Sequence, residues 1–103
     1  MSNVIMFITF KLVEGASVPD FLLASEKLND GHMSKQKGYI SWKQLVEGEM
    51  WADLVTWETM EDAQKMMDPN MDPSSISDLE KEFCSFIDQE SVKMHLFSVA
   101  KSY

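Results

Sequence analysis

Residues Gly38 to Gln64 read GYISWKQLVEGEMWADLVTWETMEDAQ, a pattern of two strands, a turn between them and the start of a helix. Tyr39, Ile40, Trp42, Leu45 and Val46, then Trp51, Leu54, Val55 and Trp57, are aromatic or aliphatic residues in short runs flanked by turn formers. These are the types that suit a pleated, half-buried surface. Glu47-Gly48 is the expected turn, its glycine tolerating positive φ. A two-residue loop there pairs Val46 with Glu49, Gln44 with Trp51 and Trp42 with Asp53. Period-two alternation places Ile40, Trp42, Gln44, Trp51, Asp53, Val55 and Trp57 on one face. Tyr39, Ser41, Lys43, Leu45, Met50, Ala52, Leu54 and Thr56 then fall on the other. Both faces hold apolar residues, so both need a cover, one supplied by the chain's own helices and one by something else.

Upstream, Val4 to Leu12 (VIMFITFKL) is apolar at nearly every position and reads as a central strand buried on both faces. After a turn at Gly15-Ala16, Ser17 is the expected N-cap of a helix with Pro19 in its first turn and Asp20 near the positive end of the helix dipole. Phe21, Leu22, Ser25 and Leu28 are assigned to its inner face, and Gly31 is expected to stop it. His32 to Lys37 is a polar connection, with His32 read as an exposed or capping residue. Downstream, Thr59 with Asp62 opens a second helix that carries Met60, Ala63, Met66 and Met67 inward until Asp68-Pro69. The segment MDPNMDPSS is a loop. Ser75 and Asp78 cap a third helix with Ile76, Leu79, Phe83 and Phe86 or Ile87 at helical spacing. Ser91 to Tyr103 is a last strand, with Val92, Met94, Leu96 and Ala100 on one face and Lys93, His95, Phe97 and Val99 on the other.

A chain of 103 residues makes a single domain, 1–103, with a small core. Strand, helix, strand, strand, broken helix, strand is the order of an α+β, ferredoxin-like βαββαβ fold. Its expected form is a four-stranded antiparallel sheet with helices on one face. The first and third strands are central in that order. A sheet covered on one side leaves its other face open, and the tryptophans are assigned to it. An apolar patch of that size marks an interface or ligand groove, and a second copy of the sheet is the simplest cover.

The formal charge of −8, with the basic residues scattered, argues against nucleic acid or an anionic membrane as partner. No apolar run reaches the roughly 18 residues of a membrane span, and the first residues lack signal-peptide character, so a cytoplasmic protein is expected. The single cysteine, Cys84, fits a reducing compartment and reads as a small buried apolar group. Two histidines distant in sequence, with no third ligand at recognisable spacing, give no metal site, and no phosphate loop or nucleophile elbow is present.

Asp53 and His95 are the strand-borne acid/base pair that could share a face. Desolvated beside Trp42 and Trp51, Asp53 is expected to have a raised pKa and to take a phenolic or enolic proton, with His95 bonding the developing oxyanion. The competing reading pairs Asp53 with a Lys or an indole N–H and makes His95 a hydrogen-bonded sheet residue. Trp42, Trp51, Trp57 and Phe7 are the candidate substrate contacts, against the reading that an aromatic stripe is core or interface. A pocket of roughly 300 Å³ beside Trp57 and Asp53 would favour the first reading.

A strand ending in a Gly turn, a capped helix, Gly38 opening the second strand and a third strand ending TWETMEDAQ resemble the dimeric α/β-barrel superfamily, especially its antibiotic-biosynthesis-monooxygenase-like branch. The resemblance spans nearly the whole chain and rests on a short, degenerate motif. It implies that two sheets pack as a barrel in a homodimer with a pocket for a small apolar or aromatic ligand. It also implies a cofactor-free monooxygenase acting on a phenolic, quinol-type or polyketide-like aromatic compound. The alternative is a non-catalytic dimer whose aromatic face is only the interface. By the resemblance, Trp57 matches a pocket-lining Trp, and Asp53 stands where some cofactor-free oxygenases have Asn, a departure. The haem degraders of the superfamily use an Asn on the first strand and a His on the helix after the third. Val4 to Leu12 has no Asn and Met60 to Ile87 no His, which argues against haem degradation.

Overall fold

The hairpin forms one half of a four-stranded antiparallel sheet of order β2-β3-β1-β4, with strands β1 (Val4–Leu12), β2 (Tyr39–Glu47), β3 (Met50–Trp57) and β4 (Ile87–Ser98). The computed structural model describes residues 3–66 and 77–103. Helices α1 (Val18–Gly31), α2 (Met60–Met66) and α3 (Asp78–Ser85) complete the α+β, ferredoxin-like arrangement, with β1 and β3 central as expected. No helix among the described residues is long and apolar enough to cross a membrane.

The hairpin turn lies one residue later than the sequence suggested. Glu47 pairs with Met50, and Gly48-Glu49 forms the loop with Gly48 at φ +59° and no positive φ at Glu49. Glycine therefore takes the first central position, as in a type II′ turn, instead of the second. The pairing slips by two residues, to Trp42↔Val55 and Gln44↔Asp53, and because two is the strand period the faces are unchanged. At the other end a bulge at Ile40, between the pairs Tyr39↔Trp57 and Ser41↔Thr56, overturns the face assigned to Tyr39. Its ring meets Trp57 edge-on at 5.9 Å and its hydroxyl donates to Asn29 Oδ1 at 2.6 Å.

The tryptophans face the chain's own helices, which corrects the expectation that they line the open side. Phe21 of α1 is the centre of this core, edge-on to Trp51 at 5.2 Å and to Phe10 at 6.0 Å and stacked on Phe83 of α3 at 5.3 Å. Pairs of this kind add about 0.5–1.5 kcal/mol each beyond burial. The side without helices instead carries Ile5, Phe7, Leu45, Leu54 and Phe97, the last 53% exposed. β1 is thus buried on its helix side, through Val4, Met6 and Phe10, and half-buried on the other.

Helix α1 begins as expected, with Ser17 Oγ accepting from Asp20 N at 3.4 Å. Its inner face is Phe21, Ala24, Ser25 and Leu28, the i, i+3, i+4, i+7 stripe. Leu22 lies off that stripe and is 43% exposed, contrary to its assignment. Gly31 is the last helical residue, and its φ is not positive. His32 is the cap, its N–H bonded to Leu28 O at 3.0 Å. Glycine at 31 makes room for α3, since a Cβ there would come within 2.6 Å of Leu79 Cδ1 and that side chain would have to shift. The connection after it includes a 3₁₀ turn, Met33–Lys35, that buries Met33 in the core. Gly38 is doubly constrained, by φ +82° and by the Asp62 carboxylate that a Cβ would strike. That carboxylate is held by Thr59 Oγ1 at 2.9 Å, and Thr59 Oγ1 accepts from Asp62 N at 3.1 Å, the expected opening of α2.

Helix α3 is capped by Ser77, whose Oγ accepts from Glu80 N at 3.2 Å; Asp78 is its first residue. Ser75, Ile76, Met67, Met71 and the Asp68-Pro69 stop lie outside the described residues. On β4, Met94 and Leu96 pair with Ile8 and Met6 on the helix side, and His95 and Phe97 with Phe7 and Ile5 on the open side.

Candidate functional site

Asp53 sits in the middle of β3, between Ile8 of β1 and Gln44 of β2, and points toward the helices at only 4% exposure. Strand alternation places it on this face, and among the described residues it makes no ion pair. Burial pushes its pKa up from the usual 3.8 to about 7, with the Trp42 indole acting in the opposite direction. That indole N–H favours the carboxylate, as a nearby donor does, yet the pair does not meet the geometry of an ordinary hydrogen bond. Asp53 Oδ1 and Trp42 Nε1 are both buried with no hydrogen-bond partner among the described residues. Buried polar atoms are usually paired, so these two are conspicuous.

Both line a cavity of about 210 Å³ between sheet and helices. Its floor is Met6, Ile8 and Val55 with Asp53 and Trp42 of the sheet; α3 contributes Glu80, Phe83 and Cys84 from above, joined by Leu28, Met33 and Met66. The wall is almost wholly apolar, with Asp53 and Glu80 as its charged groups. Met66, carried inward by α2 as expected, is part of that wall.

The remaining candidates disperse. Trp51 is packed against Phe21 and is not part of the cavity wall. Trp57, fully buried with its Nε1 unpartnered among the described residues, lines a neighbouring cavity of about 150 Å³ with His32, Asp62 and Glu80. Phe7 and His95 pair with each other on the open face, and His95 stacks on Phe97 at 5.8 Å. Asp53 opposes Ile8 while His95 opposes Phe7, so successive β1 residues direct them to opposite sides of the sheet. One chain does not bring them together.

Two further residues join the cavity wall, Glu80, with no role read from the sequence, and Cys84. Glu80 borders both cavities, and its Oε1 accepts from His32 Nε2 at 2.7 Å and from Ser77 Oγ at 3.4 Å. The signal available was the Ser77-x-x-Glu80 capping spacing. Cys84, expected to be buried, is exposed as a residue and lies at the cavity edge. Partial burial, together with the nearby Glu80 charge, pushes its thiol pKa up. Among the described residues no group of His, Cys, Asp and Glu could hold a metal ion.

No family model matches the sequence, and no curated protein matches it either. Solved structures do match in shape. SnoaB, a cofactor-independent oxygenase from Streptomyces nogalater, superposes with a TM-score of 0.73 over 99% of this chain and 97% of that one, at 10% identity. The fold is that of the antibiotic biosynthesis monooxygenase-like proteins. A Bacillus cereus protein described as an antibiotic biosynthesis monooxygenase shares this monooxygenase-like fold, with a TM-score of 0.64 and 18% identity over 100% of this chain and 98% of its own. A heme-degrading protein from Mycobacterium tuberculosis matches at 0.61 and 13% identity, over 99% and 96% of the two chains. At such identities the likeness is one of fold, which hosts more than one chemistry.

Proposed function

We propose that this chain is a cytoplasmic, small-molecule-binding homodimer that works as a cofactor-free monooxygenase on a phenolic or quinol-type aromatic. The observation that carries the reading is Asp53, a carboxyl buried in an apolar cavity with its Oδ1 unpartnered among the described residues and poised near neutral pH. A general base is most useful when its pKa lies near the working pH. The cavity, at about 210 Å³, falls below the 300 Å³ expected and does not include Trp57. It suits a bicyclic aromatic better than a larger polyketide-like one.

In the proposed reaction the Asp53 carboxylate takes the hydroxyl proton of the bound phenol. The resulting phenolate gives one electron to dioxygen, and the radical pair closes a C–O bond at a ring carbon. The O–O bond of that peroxide then breaks as the same carbon loses its hydrogen as a proton. One oxygen stays as a carbonyl and the other leaves as water, so phenol and dioxygen become quinone and water. The Trp42 N–H, unpartnered among the described residues, would serve as the donor that steadies the phenolate oxygen.

The homodimer is supported by the open face. Ile5, Phe7, Leu45, Leu54 and Phe97 form an apolar surface that a second sheet would cover. His95 belongs to that surface, and its part in the chemistry would require the partner subunit. The test is oxygen uptake with 1-naphthol. Asp53→Asn should lower the rate by about 10²–10⁴-fold. Unchanged turnover in that variant would remove Asp53 from the mechanism.

A further inference from the structure

We infer that Glu80, held in place by His32, is a second recognition group of the Asp53 cavity, and that its ligand is an aromatic carrying hydroxyl groups on two opposite edges. The inference rests on reading that cavity as the binding site.

The two carboxyl groups enter from different layers, Asp53 from β3 and Glu80 from α3, with apolar wall between them. A flat ligand lying between sheet and helix would present one edge to each. Glu80 is built to receive such an edge. A glutamate three residues after a serine N-cap ordinarily turns back to the backbone N–H of that cap. Here the carboxyl bonds His32 Nε2 and the Ser77 hydroxyl instead, both through Oε1. Oε2 has no hydrogen-bond partner among the described residues. His32, fixed as the cap of α1, gives Oε1 a short bond that sets the carboxyl's direction. It acts as a positioning residue.

The chemistry of the wall narrows the ligand further. Asp53 and Glu80 are both acceptors when ionised, and the cavity has no Lys, Arg or His in its lining. A ligand carboxylate would meet two carboxyl groups and no cation in the cavity wall, His32 being engaged by Glu80 from behind, whereas hydroxyl groups would donate to both. The site therefore selects uncharged diols over monophenols and over aromatic acids.

The experiment compares binding of 1-naphthol and 1,5-dihydroxynaphthalene under nitrogen, followed by tryptophan fluorescence and by calorimetry. A hydrogen bond to a charged group is worth about 10- to 100-fold in affinity, so the diol should bind the wild-type chain more tightly by that ratio. Glu80→Gln, which keeps the shape, should reduce the ratio to a few-fold. Glu80→Leu should abolish it. His32→Gln should lower the ratio without changing 1-naphthol affinity, an effect that mere loss of stability would not give. If 1-naphthol binds and the wild type shows no preference for the diol, or Glu80→Gln leaves the preference intact, this inference fails alone. If neither compound binds, the cavity reading fails and takes the inference with it.

Discussion

Replacing Asp53 with Asn should stabilise the protein, and by an amount that depends on pH. The carboxyl titrates at about 7 in the folded chain against an ordinary 3.8, so the folded state holds the proton more tightly than the unfolded state. Below pH 3.8 both states are protonated and burial carries no ionic penalty. Between 3.8 and about 7 the unfolded chain ionises while the folded chain does not, and stability falls with rising pH. Above 7 both are ionised and the whole penalty stands. At about 1.4 kcal/mol per pKa unit, the span comes to about 4 kcal/mol. That is a large share of the 5–15 kcal/mol that domains typically have. Asn is nearly isosteric and never charges. Urea unfolding of both proteins from pH 4 to pH 8.5, at one protein concentration, should give a stability difference near its pH-independent baseline at the acid end. The difference should grow by about 1.4 kcal/mol per pH unit in Asn's favour and level off above pH 7 to 8. A difference that stays flat across that range would show that the carboxyl is not held in a destabilising environment. The base assignment would then lose its physical ground.

The same titration should shape activity. Oxygen uptake with 1-naphthol should rise as pH passes through about 7 and plateau above it, because the base works only when ionised; a profile without that limb would exclude Asp53 as the base. Gly38→Ala should lower stability by at least about 2 kcal/mol, since it combines a positive φ with a clash against the Asp62 carboxylate; a melting temperature within error of wild type would contradict both. Phe7→Asp, which puts a charge in the centre of the open face, should convert the dimer to monomer in native mass spectrometry. A wild-type chain that is itself monomeric would end the barrel proposal.

Strand and helix positions were legible because they depend on neighbours in sequence. Alternation set the faces of the hairpin so firmly that a turn displaced by one residue, and a pairing displaced by two, left Asp53, Trp42 and Trp57 on the same side. Which side the helices would cover was not legible. Both faces hold apolar residues, and the choice is made by Phe21, Phe83 and Leu28, which meet the sheet from distant parts of the chain. The same limit hid the separation of Asp53 from His95. Parity along a strand is local, but the relation between β3 and β4 passes through β1, one residue of which decides the sign. Tyr39 was misplaced for a smaller reason, a single inserted residue at Ile40 that no alternation pattern foretells. Glu80 and His32 come from segments 48 positions apart in number, and only their packed helices join them.

The near contact of Gly31 with Leu79 gives the cavity a control that touches no ligand. α3 carries Glu80, Phe83 and Cys84 over the site, and it is braced against α1 where Gly31 has no side chain to hold it away. One methyl group at position 31 would meet the end of the Leu79 side chain, which must turn aside or carry its helix outward. Where the helix yields, the roof would rise while every residue facing the ligand stayed the same. Drift in substrate size along a lineage of such chains could therefore begin at a position outside the pocket, as a hinge is adjusted by its shim.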